Sequence, residues 1–370
     1  MTGLVIWAQS NCRSTMALYR EMLQLLKCPA LITLWHYNKS ACEKDIREKI
    51  GFSHDEFAGL PIEPVGEDLG KGLAVLDAHP GWSHLFCVWQ PSPVYRQLIV
   101  EAKRRGSRVG VMCESPCNMG SGLGWMLKQL YMIFVLPYLA RRIAHTSDFF
   151  VNFSGDNRER AKGLGWEENK IIPFGYYPPP IPGAKCVKRS SDGWFHILAT
   201  GVLSRYRGAD VLVEALRILS SRGINYTATI TQTGELLPSL KKKALVLGLP
   251  VKFAGFVEMS ELIDLYQSCS VYVGAGRQEP WGMRLNDALN CGAPLVVSSG
   301  MGGRKIVDDY ACGLVFESGN AMALADALQK MARDKDFYAN CANNVIIAAE
   351  ACSPRNKAAE LLGMVGGKLK

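Results

Sequence analysis

The chain has 370 residues, 48% of them hydrophobic and 21% charged, and a formal net charge of +8. That length supports two domains with cores of their own, and that balance excludes a disordered or low-complexity chain. The most apolar stretch, residues 126–139, is too short to span a bilayer and holds Lys128 and Gln129, so no transmembrane helix is expected.

The N-terminus lacks a basic region followed by a long apolar run, so no secretory leader is expected and the chain reads as cytoplasmic. Twelve cysteines are scattered without a Cys-x-x-Cys unit, and there are only six histidines. They read as reduced core residues, and no metal site is expected. Basic residues cluster at Lys103-Arg104-Arg105 with Arg108, at Arg141-Arg142, at Lys188-Arg189 and at Lys241-Lys242-Lys243. They are either solvated helix faces or a surface that attracts an anionic membrane or a polyanion. No aromatic-interleaved basic motif accompanies them, so nucleic acid is not an expected partner.

In chain order, strands are predicted at residues 4–7, 30–35, 84–89, 108–113 and 148–153, with helices at 14–26 and 95–105. Residues 119–144 begin Gly-rich and continue as an apolar helix ending in Arg141-Arg142. This is a core helix, or a helix whose apolar face and Trp125 dock on a membrane. Residues 177–193 hold Pro178-Pro179-Pro180, Pro182 and Gly183, a linker that proline keeps from forming a regular element. Beyond it, strands at 195–200, 226–231, 271–273 and 294–298 alternate with helices. One helix carries Val211, Leu212, Ala215, Leu216 and Leu219 at helical spacing; others are capped by Ser260 and by Asn320. Ser353-Pro354 opens a last helix that could pack back on the first domain. The domains are therefore 1–177 and 194–352, with 353–370 as a C-terminal helix. Strand–helix alternation implies an α/β chain of two Rossmann-like domains with parallel sheets and a ligand beyond the carboxyl ends of the strands.

Two loops carry the chemistry. Thr200-Gly201-Val202-Leu203-Ser204-Arg205-Tyr206-Arg207-Gly208 follows a strand. Gly201 allows close approach to the backbone, and Arg205 and Arg207 either grip phosphate oxygens or are solvated surface residues. Glu279-Pro280-Trp281-Gly282-Met283-Arg284-Leu285-Asn286-Asp287 opens a helix whose first amides, at Gly282, Met283 and Arg284, suit an anion. Arg284 adds positive charge. Glu279 before the helix and Asp287 a turn into it flank that anion, as a molecule with a central diphosphate requires. The alternative for Asp287 is an acid that stabilises the helix dipole.

These segments resemble the retaining GT-B glycosyltransferases of family 4. The resemblance rests on Glu279-Pro280-Trp281-Gly282 through Asp287, Gly292-Ala293-Pro294 with its following strand, and the turn Met301-Gly302-Gly303. It rests also on Gly201 with Arg207-Gly208-Ala209-Asp210, on Phe253-Ala254-Gly255-Phe256-Val257 as a nucleobase loop, and on residues 171–175 as the turn ending the first domain. It implies a GT-B architecture with two domains across a cleft and a nucleotide-diphosphate sugar as donor substrate. It implies no metal or other cofactor, and a glycan or lipid-linked acceptor of the bacterial envelope. In that frame Glu279 holds sugar hydroxyls near the anomeric carbon and Asp287 binds ribose. Arg207 neutralises the leaving diphosphate, Phe256 frames the base, and the Gly282, Met283 and Arg284 amides cap the phosphates.

The chain departs from the family at three points. Val202 stands where an arginine follows the loop glycine, with Arg205 as a shifted substitute. Asp287 stands for glutamate. Ala8-Gln9-Ser10-Asn11 replaces a Gly-rich N-terminal loop. Glu114 takes the acceptor-facing position of a family histidine, and Gln90 and Asn11 are further acceptor-side candidates. A nucleotide-sugar epimerase of the same fold and a non-catalytic GT-B partner subunit are the competing readings. A nicotinamide dehydrogenase is disfavoured because no Gly-x-Gly-x-x-Gly opens either half.

Overall fold

The structure, a computed structural model, describes residues 2–10, 13–36, 59–87, 92–114, 127, 130–156, 158–186 and 194–366. The chain divides into two compact units. One is Met1–Pro179 with Ser353–Lys370; the other is Pro180–Cys352.

The first unit is built on β1 (Leu4–Ser10), β2 (Ala30–His36), β3 (Ile62–Pro64), β4 (Ser83–Phe86), β5 (Val109–Cys113), β6 (Phe149–Asn152) and β7 (Ile171–Pro173). Among the described residues these seven strands are all parallel, in the order β3-β2-β1-β4-β5-β6-β7. Leu4 to Ala8 is an unbroken apolar run and every one of those side chains is buried, as a central strand covered on both faces requires. The helices are α1 (Arg13–Leu25), α2 (Leu69–Ala78), α3 (Pro93–Arg104), α4 (Leu136–Thr146) and α5 (Arg158–Gly163). Residues 171–173, expected to turn, instead pair with β6; Pro173 is tolerated because β7 is an edge strand.

Within this unit, His84 on β4 is 1% exposed, and its Nδ1 accepts a hydrogen bond from Trp7 Nε1 at 3.1 Å. Burial first, and then the charges of His79 and Arg105, push its pKa down from 6.5 to about 4. The fold therefore holds a neutral imidazole that the unfolded chain would protonate. The resulting stability is intact above pH 6.5 and is lost as the pH falls toward 4, by up to about 3 kcal/mol. Urea unfolding of the wild type should weaken steeply between pH 7 and 4.5, and His84→Gln should flatten that slope. Parallel pH profiles would refute the assignment.

The second unit holds β8 (Phe195–Ala199), β9 (Tyr226–Thr231), β10 (Val251–Gly255), β11 (Val271–Gly274), β12 (Leu295–Ser298) and β13 (Gly313–Phe316). They are parallel, in the order β10-β9-β8-β11-β12-β13. Renumbered within the unit this is 3-2-1-4-5-6, the doubly wound order, with its switch point between β8 and β11. The helices are α6 (Ala209–Ser221), α7 (Leu237–Val246), α8 (Met259–Ser268), α9 (Arg284–Asn290), α10 (Arg304–Tyr310), α11 (Ala321–Arg333) and α12 (Lys335–Ala351). Leu212, Leu216 and Leu219 of α6 pack with Val271, Val273 and Val296 of the sheet and Leu324 and Leu328 of α11.

Asn320 caps α11 through a bond from Ala323 N at 3.0 Å. Ser260 does not cap α8. That helix starts two residues earlier than such a cap would set it, Glu258 is its extended N-cap, and Ser260 falls inside the first turn. The last helix, α13 (Pro354–Gly366), returns to the first unit and lies against α1, with Arg355 3.3 Å from Glu21. Its Lys357 is 2% exposed, with Nζ 2.7 Å from Glu360 and 4.8 Å above the Tyr177 ring centroid.

Candidate functional site

Loops beyond the carboxyl ends of β8, β9 and β11 enclose a cavity of about 260 Å³ at the switch point of the second sheet. Four elements build it, and each has a local reason for its path.

The loop after β8 supplies the first wall. Gly201 lies at φ +131, a conformation that side-chain-bearing residues rarely adopt. Thr200 Oγ1 sits 3.2 Å from the Tyr266 hydroxyl and 3.1 Å from the Tyr272 hydroxyl. Burial pushes the Tyr272 pKa up to about 12 and raises Tyr266 well above its ordinary value, so both remain neutral hydroxyls beneath the cavity. Arg207 N bonds Ser204 Oγ at 3.3 Å, closing a turn, and Gly208 at φ +69 then launches α6.

The loop after β11 supplies the second wall. Its acid is fixed through the backbone: Glu279 N donates to Gly300 O at 3.0 Å and Gly302 N donates to Glu279 O at 3.0 Å. The Glu279 side chain is only 11% exposed, and Oε1 accepts from Arg207 Nη1 in a direct ion pair. Trp281 is buried, its Nε1 bonded to Asn286 Oδ1 at 2.9 Å, which anchors the start of α9. Gly282 sits at φ +97, and a Cβ there would fall 2.3 Å from Met301 Cε.

Arg284, the first residue of α9, is 3.2 Å from Asp287 Oδ2. Burial opposes its charge, but Tyr266, Asp287 and Tyr272 outweigh burial and hold its pKa above the ordinary arginine value. Gln232, after β9, lines the cavity at φ +75, a strained backbone held by a bridge to Gly255.

Of the residues singled out from sequence, Gly201, Arg207, Glu279, Gly282 and Arg284 come together around this cavity. Four others do not line it. Arg205 is not among the lining residues, and its backbone carbonyl accepts from Arg277. Phe256 is 64% exposed beyond β10, after Gly255 at φ +71. Met283 is at the surface, and Asp287 is paired with Arg284. Glu114 lies at the end of β5 in the first unit. Loss of surrounding water raises its pKa, and a hydrogen bond from Tyr176 works the other way. Asn11 and Gln90 lie outside the described residues. Among the described residues, no group of three or more His, Cys, Asp or Glu converges as metal ligands would. Gln232 and Tyr272, which line the site, were not signalled by residue type or spacing.

Residues 187–346 match the family model for glycosyl transferases group 1, and all four walls of the cavity lie within that span. The chain is 26% identical over 234 residues to a GDP-mannose-dependent alpha-(1-6)-phosphatidylinositol dimannoside mannosyltransferase of Mycobacterium tuberculosis. That match covers 61% of this chain and 59% of the relative, so the chain spans little more than half the length of the relative it matches. Mannosylfructose-phosphate synthase of Agrobacterium fabrum is 31% identical over 112 residues, 28% of this chain and 25% of that protein.

Among solved structures, Anabaena HepE in complex with UDP superposes with a TM-score of 0.67 at 14% identity over 99% of this chain and 100% of that one. The apo lipopolysaccharide outer core galactosyltransferase WaaB superposes with a TM-score of 0.69 at 12% identity, over 99% and 100%. The fold is thus the GT-B fold of two Rossmann-like domains, and the span that matches the group 1 glycosyl transferase model lies in the second unit.

Proposed function

We propose that the protein is a retaining glycosyltransferase of family 4. It transfers a hexose from a nucleotide-diphosphate sugar to a hydroxyl of a glycan or lipid-linked acceptor in bacterial envelope polysaccharide synthesis. The observation that carries this reading is the Arg207–Glu279 pair, set in a cavity at the switch point inside the matched domain. The guanidiniums of Arg207 and Arg284 and the amides that open α9 meet the diphosphate. They stabilise the charge that grows on it as the glycosidic bond breaks. Glu279, released from Arg207 by the incoming phosphate, accepts hydrogen bonds from sugar hydroxyls. Asp287 holds Arg284 in place. Glu114 serves the acceptor. No metal is required, because two guanidiniums supply the positive charge. Neighbours crystallised with UDP and with UDP and glucose support a nucleotide-sugar donor.

The test is thermal stabilisation by a panel of nucleoside diphosphates and their sugars, in EDTA, since a ligand bound only to the folded state raises the melting point. Stabilisation by one base family, lost in Arg207→Ala, supports the reading. Absence of any shift at millimolar ligand favours a non-catalytic GT-B subunit.

Peripheral contact with an anionic membrane is part of the proposal. Among the described residues no helix is long and apolar enough to cross a membrane. However, Ile133 (59% exposed), Phe134 (70%) and Tyr138 (78%) form an apolar stripe leading into α4, followed by exposed Arg141 and Arg142. Apolar side chains beside cations suit an interfacial helix. Co-sedimentation with phosphatidylglycerol vesicles should exceed that with phosphatidylcholine vesicles, and Phe134→Glu with Tyr138→Glu should abolish it. Equal sedimentation of the double variant would remove the membrane from the proposal.

A further inference from the structure

Arg277 lies two residues before Glu279 and outside every motif discussed above, and its bonds reach the loop that carries Arg207. Its Nη1 and Nη2 donate to Asp210 Oδ1 and Oδ2 at 2.7 and 2.8 Å, a two-pronged pair. Nη1 also donates to the Arg205 carbonyl. Its backbone N donates to Tyr206 O at 3.0 Å, and its carbonyl accepts from Ser318 Oγ at 3.0 Å. One residue on, Gln278 O accepts from the Tyr206 hydroxyl. Residues 205, 206 and 210 are therefore tied to residues 277 and 278 on both sides of Arg207. Arg207 itself touches neither Arg277 nor Asp210 by any of these bonds; it reaches Glu279 and stacks beside the Tyr206 ring, 5.7 Å from its centroid.

We propose that Arg277 is a positioning residue: through Asp210 and the Arg205 carbonyl it clamps the 204–208 loop so that Arg207 stands opposite Glu279. This deepens the proposed donor site and rests on it. A guanidinium is required because its planar fork satisfies both carboxylate oxygens and the carbonyl at once; an ammonium keeps the charge but not that geometry. The sequence separation of Arg277 and Asp210, 67 residues, makes the clamp a bond between two loops rather than a local turn.

Two measurements test it, and the first needs no ligand. Amide hydrogen exchange of residues 204–208 should become about tenfold faster in Arg277→Gln, while the interior of α6 stays protected. Asp210→Asn should loosen the same amides, and Arg277→Lys should fall between Gln and the wild type. Unchanged exchange in the loop overturns the clamp, as does exchange that rises equally throughout the unit.

The second measurement is calorimetric titration with UDP and with GDP. Arg277→Gln should weaken the better-bound nucleotide about tenfold, with no further loss when added to Arg207→Ala, because residues acting through one another are not additive. Full additivity overturns the proposal, since Arg277 would then meet the ligand itself. If the wild type binds neither nucleotide, the donor-site reading fails, and the exchange result alone decides the clamp.

Discussion

Arg207→Ala is expected to weaken nucleoside diphosphate binding by roughly 10- to 100-fold, the loss that removing one charged hydrogen-bond partner brings. Two effects act in the same direction. The anion loses a guanidinium in a site whose other wall is a helix start. In addition, Glu279, only 11% exposed, loses the partner that neutralises it. An unpaired carboxylate beside an incoming diphosphate repels it, so truncation costs more than the missing bond.

Glu279→Gln separates the two effects. It removes the negative charge and frees Arg207, so the bare diphosphate should bind as well as to the wild type or better. Transfer to an acceptor should meanwhile fall by about a hundredfold or more, as when a preorganised polar group at the reacting centre is lost. Titration of both variants with the nucleotide selected by the stabilisation panel decides the matter. If Arg207→Ala binds like the wild type, the diphosphate lies elsewhere. If Glu279→Gln weakens binding as much as Arg207→Ala does, the pair is a structural salt bridge rather than two halves of a donor site.

The motifs that carry their information in residue type were legible. Glu279-Pro280-Trp281-Gly282 announced a loop before a helix, and the structure sets that loop at the cavity with Trp281 as its buried anchor. Tyr226–Thr231 is β-branched and aromatic, and it is a strand over those residues. Asn320 and Ser353-Pro354 carry capping chemistry that depends on the side chain alone, and both helices begin there.

What stayed hidden depends on distance or backbone angle. Nothing in Gly274-Ala275-Gly276-Arg277 announces a partner 67 residues away. Gln232 is strained at φ +75, a conformation its residue type argues against. Phe256 was singled out through the resemblance of residues 253–257 to a nucleobase loop, and the sequence did not show that its ring would be 64% exposed. β3 spans three residues, too few to show a period of two. Arg205 was read for its guanidinium, and nothing in its residue type announces the bond its carbonyl accepts from Arg277.

The largest structural effect is expected from Gly208→Ala. A Cβ at Gly208 would sit 2.0 Å from the Ala275 carbonyl oxygen, which belongs to backbone and cannot swing aside, and the residue holds φ +69. Left-handed strain and overpacking each cost about 1–3 kcal/mol, so the second unit should lose roughly 3 kcal/mol or more. For a unit of this size that lowers the melting temperature by about 6–12 °C.

Gly201→Ala is the matched control. It too has positive φ, at +131, but nothing lies within 4 Å of the added carbon, so it carries strain without a clash and should cost less. Thermal unfolding of the two variants side by side separates the two effects. If Gly208→Ala melts within about 2 °C of Gly201→Ala, the loop can move off Ala275 at little cost. Such a loop would not hold Arg207 against Glu279 either, because the contact that excludes a methyl group at residue 208 also fixes where residue 207 begins its reach.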